Sequence, residues 1–247
     1  MIRKQLVAPN LVTILNLFLG FWAIVSSMQE RFVFAAWLII IAAVFDVLDG
    51  KIARATRGYS NFGTEFDSLA DVVSFGVAPA IMIYLAQLQY LGFLGLAISF
   101  SPLAAGAIRL ARFNTHTKGF IKSRFFEGMP IPASATLFCS YVLFSFHLWE
   151  GLRLPGITVV LAFMASVLMV STIEFDALPY FSFRRGVRNT VLMLLVVAST
   201  VLILMYPGKM MFPLALFYIF MQLSRAVIQH LRPEEEEPLP DISVSEQ

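Results

Sequence analysis

Eight stretches of this chain are apolar over lengths that match a membrane, roughly 11–28, 32–50, 66–86, 91–110, 132–149, 157–174, 189–206 and 212–230. A hydrocarbon core needs about 20 consecutive apolar residues in a helix. With no water there to bond exposed backbone groups, only helices and closed barrels can span it. The apolar runs are continuous rather than alternating, which argues against a barrel. The expected fold is all-α, a polytopic integral membrane bundle of about eight transmembrane helices. No soluble domain needs so many such runs in a chain that is 58% hydrophobic and 14% charged. The connections are short, the longest falling near 111–131, so residues 1–232 read as one membrane domain. No internal repeat of the transporter kind is visible.

Basic residues orient the bundle. With the N-terminus inside, one face collects Arg3, Lys4, Lys51, Arg54, Arg57, Arg109, Arg112, Lys118, Lys122, Arg124, Arg184, Arg185, Arg188, Arg225 and Arg232. The other holds Arg31, Arg153 and Lys209. That asymmetry makes the first face cytoplasmic. A net charge of +2 conceals it, because six of the 16 acids lie in the last 15 residues. The body is therefore strongly basic toward the cytoplasm, which suits anionic headgroups and phosphate-bearing ligands. Residues 233–247 are Pro- and Glu-rich and read as a disordered acidic tail. Arg3 and Lys4 before an apolar run resemble a signal peptide, but the run is long enough to span and is kept as the first helix. Cys139 is the only cysteine and reads as packing. His116, His147 and His230 have no ligand spacing, and Trp22, Trp37 and Trp149 read as packing or interface anchors.

Four carboxylates break the pattern. Asp46 and Asp49 are three apart at the end of the second span, and Asp67 and Asp71 are four apart near the start of the third. Each spacing puts both acids on one helix face. Helices 2 and 3 are expected to be antiparallel neighbours, so four carboxylates converge in a small volume. Charges at membrane depth persist where they pair, bind ions or face a polar cavity. An all-oxygen set without Cys or His favours a hard cation, Mg²⁺ or Mn²⁺, and two ions would clamp a pyrophosphate. Gly50 and Gly63 flank the cluster where backbone could approach a ligand. Arg54, one turn beyond Gly50, is placed to meet phosphate or to balance an Asp. The plainer alternative is a structural network with Lys51, Arg54 and Arg57. A divalent-cation pathway is the alternative from another class, although conduction needs polar access from both faces and these acids crowd one.

The run Asp46-x₂-Asp49-Gly50-x₂-Ala53-Arg54-x₈-Gly63-x₃-Asp67-x₃-Asp71 resembles, without departure, the motif of the CDP-alcohol phosphatidyltransferase family. The resemblance implies a helical membrane enzyme that moves a phosphatidyl group from CDP-diacylglycerol to an alcohol and releases CMP. It implies that Asp46, Asp49, Asp67 and Asp71 bind two metal ions, Mg²⁺ or Mn²⁺, and that Asp71 is the general base. Gly50, Arg54 and Ser60 are then expected against the CDP moiety. Asn10 and Thr13, in Pro9-Asn10-Leu11-Val12-Thr13, resemble the family's entry to helix 1 near the nucleotide. Read from residues alone, that segment is a Pro-punctuated helix start.

The acceptor is addressed by Arg109-Leu110-Ala111-Arg112-Phe113-Asn114 and by Phe126-Glu127-Gly128-Met129-Pro130-Ile131-Pro132. Arg109 and Arg112 share a face and form a pair suited to a carboxylate or phosphate, or else serve as positive-inside anchors. Gly128, Pro130 and Pro132 look like a rigid re-entry into the fifth span. Both runs, with Met169-Val170-Ser171-Thr172, resemble the membrane-embedded phosphatidylserine synthase branch of the family. Glu174-Phe175-Asp176 is more acidic than that branch tends to be. The resemblance makes L-serine the expected acceptor, with Arg109, Arg112 and Asn114 toward its carboxylate and Glu65 or Glu127 toward its ammonium. The same transfer to glycerol 3-phosphate or inositol phosphate is the alternative. The expected setting is a bacterial or archaeal cytoplasmic membrane, with the site on the cytoplasmic side. Membrane lipids are the surroundings, no nucleic acid is a partner, and a homodimer is left open.

Overall fold

A computed structural model describes residues 7–56, 61–117, 126–175 and 187–231. At the margins of these stretches (7–10, 52–56, 61, 115–117, 126–127, 174–175, 187–189, 191–192 and 228–231) it describes the backbone only. Eight helical rods appear there. The first two are α1 (Val7–Met28) and α2 (Phe32–Thr56). The third rod joins α3 (Asn61–Asp71) to α4 (Ala78–Ile83) through a π-helical turn at Val72–Val77, and ends in a second π turn and a 3₁₀ turn at Gln89–Leu91. Then come α5 (Phe93–Thr117), α6 (Ile131–Trp149), α7 (Pro155–Val170), α8 (Val187–Met205) and α9 (Pro207–Leu231).

Six rods are long and apolar enough to cross a membrane, and the apolar helices Pro155–Val170 and Met193–Met205 are shorter. This is the architecture of a polytopic helical membrane protein. The sixth span differs from its sequence reading. It stops at Val170 because Ser171 turns extended, at φ −62° and ψ 160°. The chain then pairs a two-residue strand, β2 (Glu174–Phe175), antiparallel to β1 (Phe126–Glu127).

The core combines alanines with aliphatic, methionine and a few aromatic side chains. Ala35, Ala36, Ile39 and Ala42 of α2 meet Phe138, Cys139, Tyr141 and Val142 of α6, all almost fully buried. Lipid supplies no hydrophobic force between helices, so close approach of small residues does that work. Cys139 is a packing residue, as expected. Buried polar groups at the end of the bundle holding the 150–154 turn satisfy one another. Gln87 Nε2 donates to the Leu152 carbonyl at 3.2 Å, Thr158 bonds the Gln87 carbonyl oxygen, and Tyr141 and Ser145 bond the carbonyls of Leu154 and Gly151.

Pro79 accounts for the first π turn. It has no N–H for the carbonyl one turn back, and its ring crowds that carbonyl, so the preceding turn widens. The widened turn sets Ser74 against α1. There a Cβ on Gly20 would lie 2.7 Å from Ser74 Cα, so only glycine admits the approach. Ser74 Oγ seals it by donating to the Asn16 carbonyl at 3.0 Å. Among the described residues α1 packs on α3, and α2 packs on the third rod through the π turn at Val72–Val77 and α4, in line with the neighbouring helices 2 and 3 expected from the short loop. The two Asp pairs face each other at this end of the bundle, with α1 bonded to both.

A carboxylate centre at one end of the bundle

At this end the start of α1, the end of α2, the start of α3 and the ends of α5 and α7 come together. Asp46, Asp49 and Asp67 each offer a carboxylate oxygen, and these atoms lie within 4.8 Å of one another. Asp49 is buried, whereas Asp46 and Asp67 are half-buried. At such a separation each ionised pair repels by about 3 kcal/mol at an effective dielectric near 20. Nothing among the described residues offsets this with a cation: Lys51 is exposed, and the side chains of Arg54 and Arg57 lie outside the described residues. One Asp67 oxygen, Oδ1, is buried without a hydrogen-bond partner.

Three converging carboxylates, one with a buried orphan oxygen, fit a divalent cation. The set is all oxygen, which suits a hard ion. A Cβ placed on Gly50 would meet nothing within 4 Å, so the space beside this residue is open.

Helix α1 reaches both Asp pairs. Thr13 Oγ1 donates to Asp49 Oδ2 at 3.2 Å, and Asn16 Nδ2 donates to Asp71 Oδ1 at 3.4 Å. Asp71 is buried one turn beyond Asp67, outside the three-carboxylate group. Sequence reasoning stopped at Asn10 and Thr13 and passed over Asn16. The available signal was an amide inside an apolar span, three residues from Thr13 and so on the same face. Ser74, which fixes the Asn16 backbone, gave no signal of its own.

Of the arginines, Arg109 is 6% exposed, and its Nε has no partner. It lies within electrostatic reach of Asp71. Arg112 instead donates from Nη1 to the Val170 carbonyl at 3.2 Å and from Nη2 to the Ser171 carbonyl at 3.3 Å. A cation there complements the negative end of α7. Asn114 Nδ2 donates to Ser68 Oγ at 3.1 Å and to Glu65 Oε2 at 3.4 Å, joining α5 to α3.

The rigid re-entry is also present. Gly128 has φ +75° and its N–H donates to the Ile173 carbonyl at 2.9 Å, while Met129 N–H donates to Leu168 O at 3.0 Å. Pro130, extended at φ −61° and ψ 142°, then starts α6. Ser60 lies outside the described residues, as do the side chains of Asn10, Arg54 and Glu127.

A membrane bundle whose second and third rods present paired aspartates at one end is the setting that the motif demands. Residues 6–173 match the model of the CDP-alcohol phosphatidyltransferase family, and the chain belongs to that family. Among its relatives, the CDP-diacylglycerol–serine O-phosphatidyltransferase of Helicobacter pylori (strain ATCC 700392 / 26695) is 39% identical over 201 residues, 81% of this chain and 82% of that protein. The protein of that same name from Methanocaldococcus jannaschii is 38% identical over 180 residues, 72% of this chain and 78% of that protein. An archaetidylserine synthase from Methanothermobacter thermautotrophicus is 36% identical over 176 residues, covering 70% and 71%.

Proposed function

We propose that this chain transfers the phosphatidyl group of CDP-diacylglycerol to L-serine, giving phosphatidylserine and CMP. The observation that carries the reading is the convergence of Asp46, Asp49 and Asp67 beside buried Asp71 and Arg109, in a chain similar over four-fifths of its length to a serine phosphatidyltransferase. The positive-inside asymmetry supports a cytoplasmic position for this end of the bundle, and the expected setting is a bacterial or archaeal membrane.

In the mechanism, Asp46, Asp49, Asp67 and Asp71 would hold two ions, Mg²⁺ or Mn²⁺. When bound, such ions supply charge neutralisation at the pyrophosphate and at the departing CMP oxygen. Asp71 accepts the proton of the serine hydroxyl as that oxygen attacks the β-phosphorus and the bond to the CMP oxygen breaks. Asn16 keeps the Asp71 carboxylate oriented through its amide. Thr13 does the same for Asp49. Gly50, Arg54 and Ser60 meet the CDP moiety, with Asn10 and Thr13 beside it.

Arg109 is the principal grip on the serine carboxylate, because it is buried and its Nε has no partner. Arg112 and Asn114 border that pocket, while Glu65 and Glu127 are the acids that could face the ammonium. Phosphorylated acceptors carry more charge than one buried arginine neutralises, which favours serine over glycerol 3-phosphate or inositol phosphate.

The test is purified protein with CDP-diacylglycerol and each of L-serine, glycerol 3-phosphate, inositol 1-phosphate and choline, reading CMP release and the lipid product. L-Serine alone is expected to be used efficiently, with activity lost in EDTA and restored by Mn²⁺ or Mg²⁺. Preference for glycerol 3-phosphate overturns the acceptor and leaves the transfer chemistry. Activity indifferent to EDTA overturns the two-ion arrangement.

A further inference from the structure

Asn16 sits mid-span in α1 and is completely buried. Its amide is half used: Nδ2 donates to Asp71 Oδ1 at 3.4 Å, while Oδ1 has no hydrogen-bond partner. This orientation is the one an ionised Asp71 requires. A carboxylate only accepts, so a flipped amide would set oxygen against oxygen. A buried acceptor left unsatisfied is costly, and such a group in a functional cleft points to something that fills it. The orphan cannot be relieved by a small shift of α1. Ser74 Oγ holds the Asn16 carbonyl, and the close contact of Gly20 with Ser74 fixes the helix against the π turn that follows Asp71.

Arg109 is the counterpart, with a buried donor, Nε, that also lacks a partner and lies within electrostatic reach of Asp71. Asp71 thus has a free acceptor and a free donor near it. An amino acid carrying a hydroxyl presents the complement, with the hydroxyl for Asp71, a carboxylate for Arg109 and an ammonium for an oxygen. Glu65, the acid expected at the ammonium, is exposed and already accepts from Asn114.

We infer that Asn16 is the acceptor-selecting residue: its side-chain oxygen receives the ammonium of the incoming amino acid while its amide N–H holds Asp71. This deepens the proposed function and rests on it. An amide suits the position better than a carboxylate. It offers a strong acceptor without adding a fifth negative charge beside the four aspartates.

The experiment compares wild type with Asn16→Leu, which keeps the branched outline and removes both polar atoms, and Asn16→Ser, which is smaller and stays polar. Acceptors are L-serine and glycerate, the latter keeping hydroxyl and carboxylate but lacking the ammonium. In the variants the KM for L-serine is expected to rise about 10- to 100-fold, the weight of one charge-assisted hydrogen bond. The KM for CDP-diacylglycerol stays within about twofold, and the preference for L-serine over glycerate shrinks by the same factor as the serine KM rises. A fall in kcat with serine KM and preference unchanged overturns the inference, leaving Asn16 only as a prop for Asp71.

Should neither variant fold, a structure of the wild-type protein with L-serine and a CDP-diacylglycerol analogue decides. The ammonium within hydrogen-bond reach of Asn16 Oδ1 supports the inference, and the ammonium on Glu65 overturns it. A wild type that ignores L-serine sinks the proposed function and this inference together. A serine-using wild type with unaltered variants sinks this inference alone.

Discussion

Asp67→Asn is expected to make the metal-free protein more stable while abolishing turnover. Asp46, Asp49 and Asp67 place carboxylate oxygens within 4.8 Å of one another, so Asp67 takes part in two repulsive pairs. In the fully ionised limit the two amount to about 7 kcal/mol at an effective dielectric of 20. Asp67 is only half-buried, and water screens much of this, so a gain of about 1–3 kcal/mol is expected without metal. For a chain of this size that raises the melting temperature by about 2–10 °C. The assay is thermal unfolding in detergent followed by tryptophan fluorescence, with EDTA and then with excess Mn²⁺. In EDTA the variant should melt above wild type. With Mn²⁺ the order should reverse, because binding to the folded state stabilises wild type in proportion to occupancy while the variant has lost a charged ligand. CMP release should be undetectable in the variant under both conditions. A variant that melts below wild type in EDTA would mean that the three acids are held together by pairing within the protein, and would refute a cation site there.

Three further outcomes follow from the same geometry. Asp71→Asn should keep most of the affinity for CDP-diacylglycerol while lowering kcat by about 10²- to 10⁴-fold, measured by ligand binding alongside single-turnover CMP release; loss of both together would make Asp71 chiefly a ligand. Arg109→Lys should raise the serine KM by about tenfold or more with the nucleotide-lipid KM little changed, since a point charge does not replace a planar guanidinium. Gly128→Ala should cost about 2–4 kcal/mol of stability, seen as a lower melting temperature, because the residue has φ +75° and a Cβ there would press on the Ser171 and Leu168 carbonyls at 3.0 and 3.2 Å.

The sequence was most legible where a single helix carries the information. Apolar runs gave the rods, and the i, i+3 and i, i+4 spacings of Asp46, Asp49, Asp67 and Asp71 gave the shared faces, because both depend only on helix periodicity. Relations between helices were harder to read. The short loop points to the second and third rods as neighbours, and α2 does pack on the third rod through the π turn and α4; it gives no sign of α1, which Gly20 lets lie close against Ser74 on that same rod. The spacing that pairs Arg112 with Arg109 gives no sign of the two carbonyls that the end of α7 at Ser171 offers it, partners that appear only when α5 and α7 pack. Asn16 was missed because one amide in an apolar run has no periodic partner of its own class; its meaning comes from Asp71, 55 residues away.

Helix α1 therefore does more than fill space. Thr13 and Asn16 are separated by three residues, about 4.5 Å along the axis. Each binds an aspartate from a different rod, Asp49 from α2 and Asp71 from α3. A helix is stiff over one turn, so these two bonds help set the axial offset between the two carboxylate pairs. The Ser74 bond to the Asn16 backbone and the glycine contact then tie that offset to the turn just beyond Asp71. The site's spacing is thus set in part by a helix that contributes none of its carboxylates. Changes on this face of α1 should act on catalysis through the relative height of Asp49 and Asp71 before they act on stability, because the apolar packing of α1 against α2 lies on other residues.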